Sequence, residues 1–152
     1  MIYLDIDGVL ILPGDGNDDP DVRRRASYVA DICRATGCMI VVSSQRRISD
    51  DVLHLLSDLG LQGFITRSCP DRTPFIRGDD LDPDLPVRGQ EIDAHMAANH
   101  ISRHVVIDDD FALPHHDRIA IDPDVGITAD DADSAIDILM RSRPTVDNLN
   151  PS

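Results

Sequence analysis

Residues 2–10 read IYLDIDGVL, and this stretch decides the fold class. It opens with a short apolar run, which predicts a buried β-strand. The run gives way to Asp5 and Asp7, and Gly8 permits a sharp exit from the strand. Two carboxylates placed in this way can divide catalytic labour, one as nucleophile or metal ligand and the other as general acid and base. A solvated turn is the alternative interpretation, because Asp before Gly is common in loops.

The rest of the chain alternates between strand-like and helix-like segments. Apolar runs predict further strands at 38–42, 64–66, 104–107 and 118–121. Apolar residues at helical spacing predict helices at 21–36, 52–59, 91–99 and 130–141. Because continuous apolar strands that alternate with helices are typical of a parallel sheet covered on both faces, we expect an α/β fold with a doubly wound, three-layer parallel sheet.

The length of the chain predicts one domain. A chain of 152 residues can bury a sizeable core but has little room for a second module. We expect the domain to cover residues 1–143 and a loosely held tail to cover 144–152. Prolines and charges crowd residues 67–87, which predicts an irregular excursion of the kind that is often functional or mobile.

Composition disfavours several classes of protein. The chain has 28 acidic and 14 basic side chains, for a net charge of -14. Such a surface repels phosphate backbones, so we expect no tight non-specific binding of nucleic acid. No apolar run is long enough for a membrane span, and the three cysteines lack CxxC spacing. We therefore expect a cytoplasmic protein without membrane attachment.

Polar side chains follow three of the predicted strands. Asp5 and Asp7 follow the first strand, Ser43 the second, and the triplet Asp108 to Asp110 the fourth. Ligands of parallel sheets bind at this carboxyl edge, so we expect these residues to meet there. Clustered carboxylates repel one another unless a cation neutralises them, and oxygen ligands favour Mg²⁺. A solvated loop or a helix cap is the alternative, above all for Asp110.

Four features together resemble the haloacid dehalogenase (HAD) superfamily. They are DIDGVL at 5–10, a strand ending in Ser43, Arg88 at a helix start, and a strand ending in Asp108 and Asp109. Their order and spacing agree from residue 1 to about 140. The stretches at 41–47, 88–92, 106–110 and 126–128 are further similar to the small HAD domains of RNA-repair proteins, of the polynucleotide-phosphatase type. This resemblance implies a Rossmann-like core with a minimal cap or none.

The resemblance also implies a Mg²⁺-dependent phosphatase. Asp5 would be the nucleophile that becomes an aspartyl phosphate, and Asp7 the general acid and base. An acid at this second position favours phosphatase over dehalogenase chemistry. Asp5, the backbone carbonyl of Asp7, and Asp108 would hold the metal, with Asp109 as ligand or neighbour. Ser43 would bind a phosphoryl oxygen.

Four further residues complete the expected site. Arg88 would balance the charge of the aspartyl phosphate, although the family usually has Lys there, and Arg72 and Arg77 compete for that role. Ser44, Arg46 and Arg47 are the candidate substrate-binding residues. For the two arginines, a solvent-facing pair at a helix start is an equally good interpretation.

An open, uncapped site in this family suits extended substrates. The expected substrate is a phosphomonoester, with a nucleic-acid end preferred. Two alternatives remain open: a catalytically idle domain that binds phosphate or a partner protein, and a phosphatase or nucleotidase for small metabolites. A calcium loop at 80–91 is disfavoured because Leu85 stands where Gly is needed. Zinc at His115 and His116 is disfavoured because no further ligand follows at zinc spacing.

Overall fold

Four short parallel strands form the central sheet. They are seen in a computed structural model that describes residues 1–16, 18–109 and 111–141. The strands are β1 (Ile2–Leu4), β2 (Ile40–Val42), β3 (Val105–Asp108) and β4 (Arg118–Ala120), in the order β2-β1-β3-β4 across the sheet. Every residue of β1, β2 and β3 is buried, which explains their unbroken apolar runs. The predicted parallel α/β fold is confirmed.

Four helices cover the sheet, as predicted. They are α1 (Pro20–Thr36), α2 (Asp51–Asp58), α3 (Val87–Ala98) and α4 (Ala129–Arg141). At the start of α1, the Asp19 side chain accepts a hydrogen bond from the backbone N–H of Asp21, and Gly37 ends the helix with φ of 73°. α3 begins four residues earlier than predicted, directly after Pro86. Proline disfavours a helical conformation for the residue before it but not for the residues that follow.

One strand prediction is wrong. Residues 64–66 form no strand. Gln62–Phe64 is a short 3₁₀ helix, and Ile65 makes a single bridge with Ile40. The backbone N–H of Thr66 still donates to the carbonyl of Ile40 (3.0 Å), but the chain then leaves the sheet. The 3₁₀ helix takes up the first residue of the predicted strand, so too few residues remain beside β2 to form a continuous ladder of backbone hydrogen bonds.

The two faces of the sheet have different partners. α1, α2 and α4 pack on the face that carries Ile2, Leu4, Ile40 and Val42, where the larger apolar core lies. α3 packs on the opposite face, against Tyr3, Val41 and Val106. Side chains alternate along a strand, so a residue two positions beyond Tyr3 or Val41 continues on the α3 face.

The connections contain no cap domain within the described residues. Residues 67–87 include one short 3₁₀ helix, Gly78–Asp80, and a bridge between Arg72 and Val42. Asp110 and the predicted tail at 144–152 lie outside the described residues. None of the described helices is long and apolar enough to cross a membrane.

Candidate active site

Three polar residues stand side by side where the central strands end. Asp5 follows β1, Ser43 follows β2, and Asp108 is the last residue of β3. The backbone ladder continues through them, because Asp5 N–H donates to the carbonyl of Ile107 (3.1 Å) and Ser43 N–H to that of Leu4 (3.0 Å). All three side chains lie on the α3 face and are buried. We call these residues the polar row.

Arg88, in the first turn of α3, reaches into the polar row. Its Nη1 lies 3.1 Å from Asp5 Oδ2, and 3.0 and 2.9 Å from the two carboxylate oxygens of Asp108. The same nitrogen is 3.9 Å from Asp109 Oδ1. The guanidinium also lies against the ring of Phe111, at 4.7 Å from the ring centroid. Neither Arg72, which pairs with Asp50 and Asp71, nor the exposed Arg77 reaches these carboxylates.

When all three are ionised, the carboxylates of Asp5, Asp108 and Asp109 carry more negative charge than Arg88 neutralises. Asp5 and Asp108 are only 3% and 2% exposed. Burial raises the pKa of Asp5, and Arg88 lowers it by a smaller amount. Burial, a hydrogen bond with Asp109 and repulsion by Asp5 raise the pKa of Asp108 to about 8. The site therefore gains from additional positive charge.

A divalent cation fits this carboxylate group. Oxygen atoms of Asp5, Asp108 and Asp109 all lie within 4.8 Å of one another. Asp109 Oδ1 is buried and has no hydrogen-bond partner among the described residues. Three carboxylates with no sulfur or nitrogen ligand suit a hard ion such as Mg²⁺. The side chain of Asp7 lies outside the group; the expectation for Asp7 concerned its backbone carbonyl.

Gly8 brings the loop after β1 close to Asp109. A Cβ atom at this position would lie 3.2 Å from Asp109 Oδ2 and 3.3 Å from Pro123 Cβ. The residue also has a φ of +82°, which side chains rarely adopt. The glycine of the DIDGVL stretch therefore serves both the turn and the close approach.

Asp7 and Arg46 form an ion pair at the mouth of the site. Arg46 donates from Nε to Asp7 Oδ2 and from Nη2 to Asp7 Oδ1, both at 2.9 Å. The Asp7 side chain is 58% exposed. Both residues line an open cavity of about 490 Å³, together with Gly8, Asp109 and Pro123. The pair is thus reachable by a molecule that approaches the polar row from solvent.

The two serines after β2 are placed differently. Ser43 Oγ is buried and has no partner among the described residues. Ser44 caps the 3₁₀ helix Gln45–Ile48, because its hydroxyl accepts from the backbone N–H of Arg46 (3.2 Å). Ser44 therefore fixes the segment from which Arg46 projects.

The structure does not bring Arg47 into the cleft. Its side chain is 1% exposed and pairs with the equally buried Glu91 of α3 at 2.8 Å. Arg47 also donates to the backbone carbonyls of Ser44 (3.1 Å) and Thr73 (3.0 Å). Sequence reasoning missed this pair, although one signal was present: Glu91 is the only glutamate of the chain, and every other acidic residue is an aspartate.

A second polar cluster joins α3 to the loop before β4. Asp93 Oδ1 lies 2.8 Å from His115 Nε2 and 3.2 Å from His116 Nε2, a meeting that sequence spacing did not reveal. His116 Nδ1 accepts a hydrogen bond from the backbone N–H of Leu113 (3.1 Å), so its Nε2 carries the proton and donates to Asp93. That nitrogen is not free to bind a metal, and the cluster acts as a hydrogen-bonded brace.

Comparison with known proteins identifies the family. The family described as "HAD domain in Swiss Army Knife RNA repair proteins" matches residues 1–132, which include the whole sheet and the carboxylate group. Searches of curated proteins and of solved structures each found no match. Membership of the HAD family supports a phosphohydrolase-type function, and HAD domains generally use Mg²⁺. The chain belongs to the HAD-domain family of Swiss Army Knife RNA repair proteins.

Proposed function

We propose that the protein is a Mg²⁺-dependent phosphatase that forms an aspartyl phosphate on Asp5. One observation carries this proposal: the Asp5 carboxylate is buried in the polar row, between Ser43 and Asp108, with Arg88 against it. Asp5 Oδ1 accepts from the N–H of Ile6 (2.9 Å) and Oδ2 from Arg88 (3.1 Å). These two hydrogen bonds hold the carboxylate in one orientation, so that it is not free to rotate before attack.

Two displacements would complete the reaction. Asp5 attacks phosphorus, the bond to the leaving oxygen breaks, and Asp7 gives that oxygen a proton. Asp7 then takes a proton from water, which attacks the phosphorus and releases inorganic phosphate and Asp5. The position of Asp7 at the open cavity supports this role, because the leaving group must depart toward solvent.

Charge balance assigns the remaining groups. Ser43 would donate its unpaired hydroxyl to a phosphoryl oxygen, and Arg88 would offset the negative charge shared by Asp5 and the phosphoryl group. Asp5, the backbone carbonyl of Asp7, Asp108 and Asp109 would hold Mg²⁺, which when bound supplies positive charge that lets two anions approach. Arg46 would hold Asp7 in place and contact the leaving group.

A phosphorylated RNA end is the substrate we propose. The name of the matched family refers to RNA repair, and no cap among the described residues covers the open cavity beside Asp7, which a long chain can therefore approach. The cavity of about 490 Å³ beside Asp7 favours a small phosphomonoester as the second candidate. A panel containing 3'- and 5'-phosphorylated oligonucleotides, nucleotides and sugar phosphates separates the two.

The test of the chemistry uses Asp5→Asn with Mg²⁺ and an aryl phosphate. The variant keeps the shape of the side chain but loses its nucleophile, so we expect hydrolysis to fall by about a thousandfold or more. Asp31→Asn, on the exposed side of α1, is the control and should match the wild type. Full activity of Asp5→Asn would overturn the nucleophile assignment. An inactive wild type that still binds phosphate would favour the idle domain instead.

A further inference from the structure

The polar row extends one position further, to Thr73. A bridge between Val42 and Arg72 pairs residues 67–87 with the outer edge of β2, and the N–H of Thr73 donates to the carbonyl of Val42 (3.0 Å). Ser43 and Thr73 lie one residue beyond this bridge, on chains spaced about 4.8 Å apart. Because side chains alternate along paired chains, both leave on the face that carries the active-site carboxylates.

Thr73 has a buried hydroxyl without a partner. The residue is 3% exposed, and its Oγ1 makes no hydrogen bond among the described residues. Five buried side-chain atoms in the described part of the chain share this property, and four belong to Ser43, Thr73, Arg88 and Asp109. An unpaired buried polar group costs free energy. Their concentration at one edge of the sheet indicates that a ligand supplies the missing hydrogen bonds.

The backbone around this hydroxyl is fixed from both sides. The Thr73 N–H is bound to β2, and its carbonyl accepts from Nε of the buried Arg47 (3.0 Å). Arg47 in turn pairs with Glu91, one turn of α3 after Arg88. The backbone of Thr73 is therefore held in a set position relative to Ser43 and Arg88, while its hydroxyl has no hydrogen-bond partner in the described part of the chain.

We propose that Thr73 donates its hydroxyl to a phosphoryl oxygen of the bound substrate, alongside Ser43. The inference rests on the proposed function and adds to it a residue from the irregular segment between β2 and α3. A phosphoryl group has three oxygens that can accept hydrogen bonds, so an acceptor remains for a further donor besides Ser43 and Arg88. Thr73 would thus be a further substrate-binding residue that selects for the tetrahedral phosphoryl group.

The test compares orthovanadate binding, in the presence of Mg²⁺, between matched variants by calorimetry. Thr73→Val removes the hydroxyl at constant shape, and Thr73→Ser retains it. Thr66→Val is the control: Thr66 is also 3% exposed and is also bonded to β2, but its hydroxyl lies near Ser68 Oγ (3.3 Å) and Cys69 Sγ (3.6 Å). We expect Thr73→Val to weaken vanadate binding about tenfold, Thr73→Ser to stay within about threefold of the wild type, and Thr66→Val to have no effect.

The melting temperature of the ligand-free variants gives a second, independent readout. Thr73→Val should melt at or above the wild type, because an unpaired buried hydroxyl has been removed. A ligand-free Thr73→Val that melts below Thr66→Val overturns the inference, since the hydroxyl would then have a partner in the free protein. Unchanged vanadate affinity in Thr73→Val also overturns it, and if Ser43→Ala still loses affinity the proposed function stands. A wild type that binds no vanadate contradicts the proposed function itself, and the inference with it.

Discussion

The carboxyl group of Asp108 lies beside two others where water reaches poorly, and this has a consequence for stability. Its pKa in the folded protein is raised to about 8, against about 3.9 for a free aspartate. Between these two values the folded protein holds the proton more tightly than the unfolded chain does. The contribution of Asp108 to stability is therefore fully present below about pH 4 and is lost as the pH rises through about 8.

This residue predicts a pH dependence of the metal-free protein. We expect the free energy of unfolding to fall from about pH 5 to about pH 8 by up to about 1.4 kcal/mol per pH unit, and the slope to be smaller in Asp108→Asn. Urea unfolding in chelator at several pH values measures both. Equal slopes in the two proteins would show that Asp108 does not retain its proton. Mg²⁺ should oppose the loss in the wild type, since it favours the ionised form.

At the scale of elements, the Arg47–Glu91 pair joins the segment after β2 to α3. Both side chains are almost completely buried, and Arg47 also donates hydrogen bonds to the backbone carbonyls of Ser44 and Thr73. A buried charge left without its partner is strongly destabilising. The pair therefore ties α3, which carries Arg88 one turn before Glu91, to the segment that follows Ser43.

Breaking the pair should cost more than breaking an exposed one. Arg47→Met is expected to lower the free energy of unfolding by about 3–5 kcal/mol, and adding Glu91→Leu should recover part of the loss because no unpaired charge stays buried. Arg34→Ala, which removes an exposed pair with Asp31 on α1, should cost under about 1 kcal/mol. Equilibrium urea unfolding decides the matter. A loss for Arg47→Met no larger than for Arg34→Ala would contradict the structural role.

The elements show why sequence reasoning succeeded for some parts and failed for others. The strands and helices were predictable because burial leaves periodic apolar runs, and Asp5, Ser43 and Asp108 converge because parallel strands end at one edge. The bridge at Ile65 was mistaken for a strand because a two-residue apolar run does not show how long a ladder lasts. The burial of Arg47 was not predictable, since its partner Glu91 lies far along the chain and sequence alone does not pair them.

At the scale of the whole molecule, the net charge of -14 acts on any polyanionic substrate. Repulsion between exposed charges reaches about 30 Å at 0.01 M salt and about 8 Å at 0.15 M. Added salt should therefore help an oligonucleotide to approach, the reverse of what a basic nucleic-acid-binding surface shows.

This charge predicts a salt effect on KM. At constant Mg²⁺, we expect the KM for a phosphorylated oligonucleotide to fall several-fold between about 0.01 and 0.15 M NaCl, with little change in kcat. An aryl phosphate should respond less, because it carries fewer charges. Steady-state kinetics with both substrates measures the difference. A KM for the oligonucleotide that rises with salt would instead indicate a local basic contact surface.

The pairing of residues 65–73 with β2 also affects how the folded chains meet one another. β2 is the outermost strand on its side of the sheet, yet its outward backbone groups are engaged by Thr66, Asp71 and Thr73. An outer strand with free N–H and C=O groups invites a neighbouring molecule to add a strand and begin aggregation. The segment that carries Thr73 therefore protects this edge of the sheet from pairing with another molecule, and it does so through backbone hydrogen bonds rather than through charged side chains.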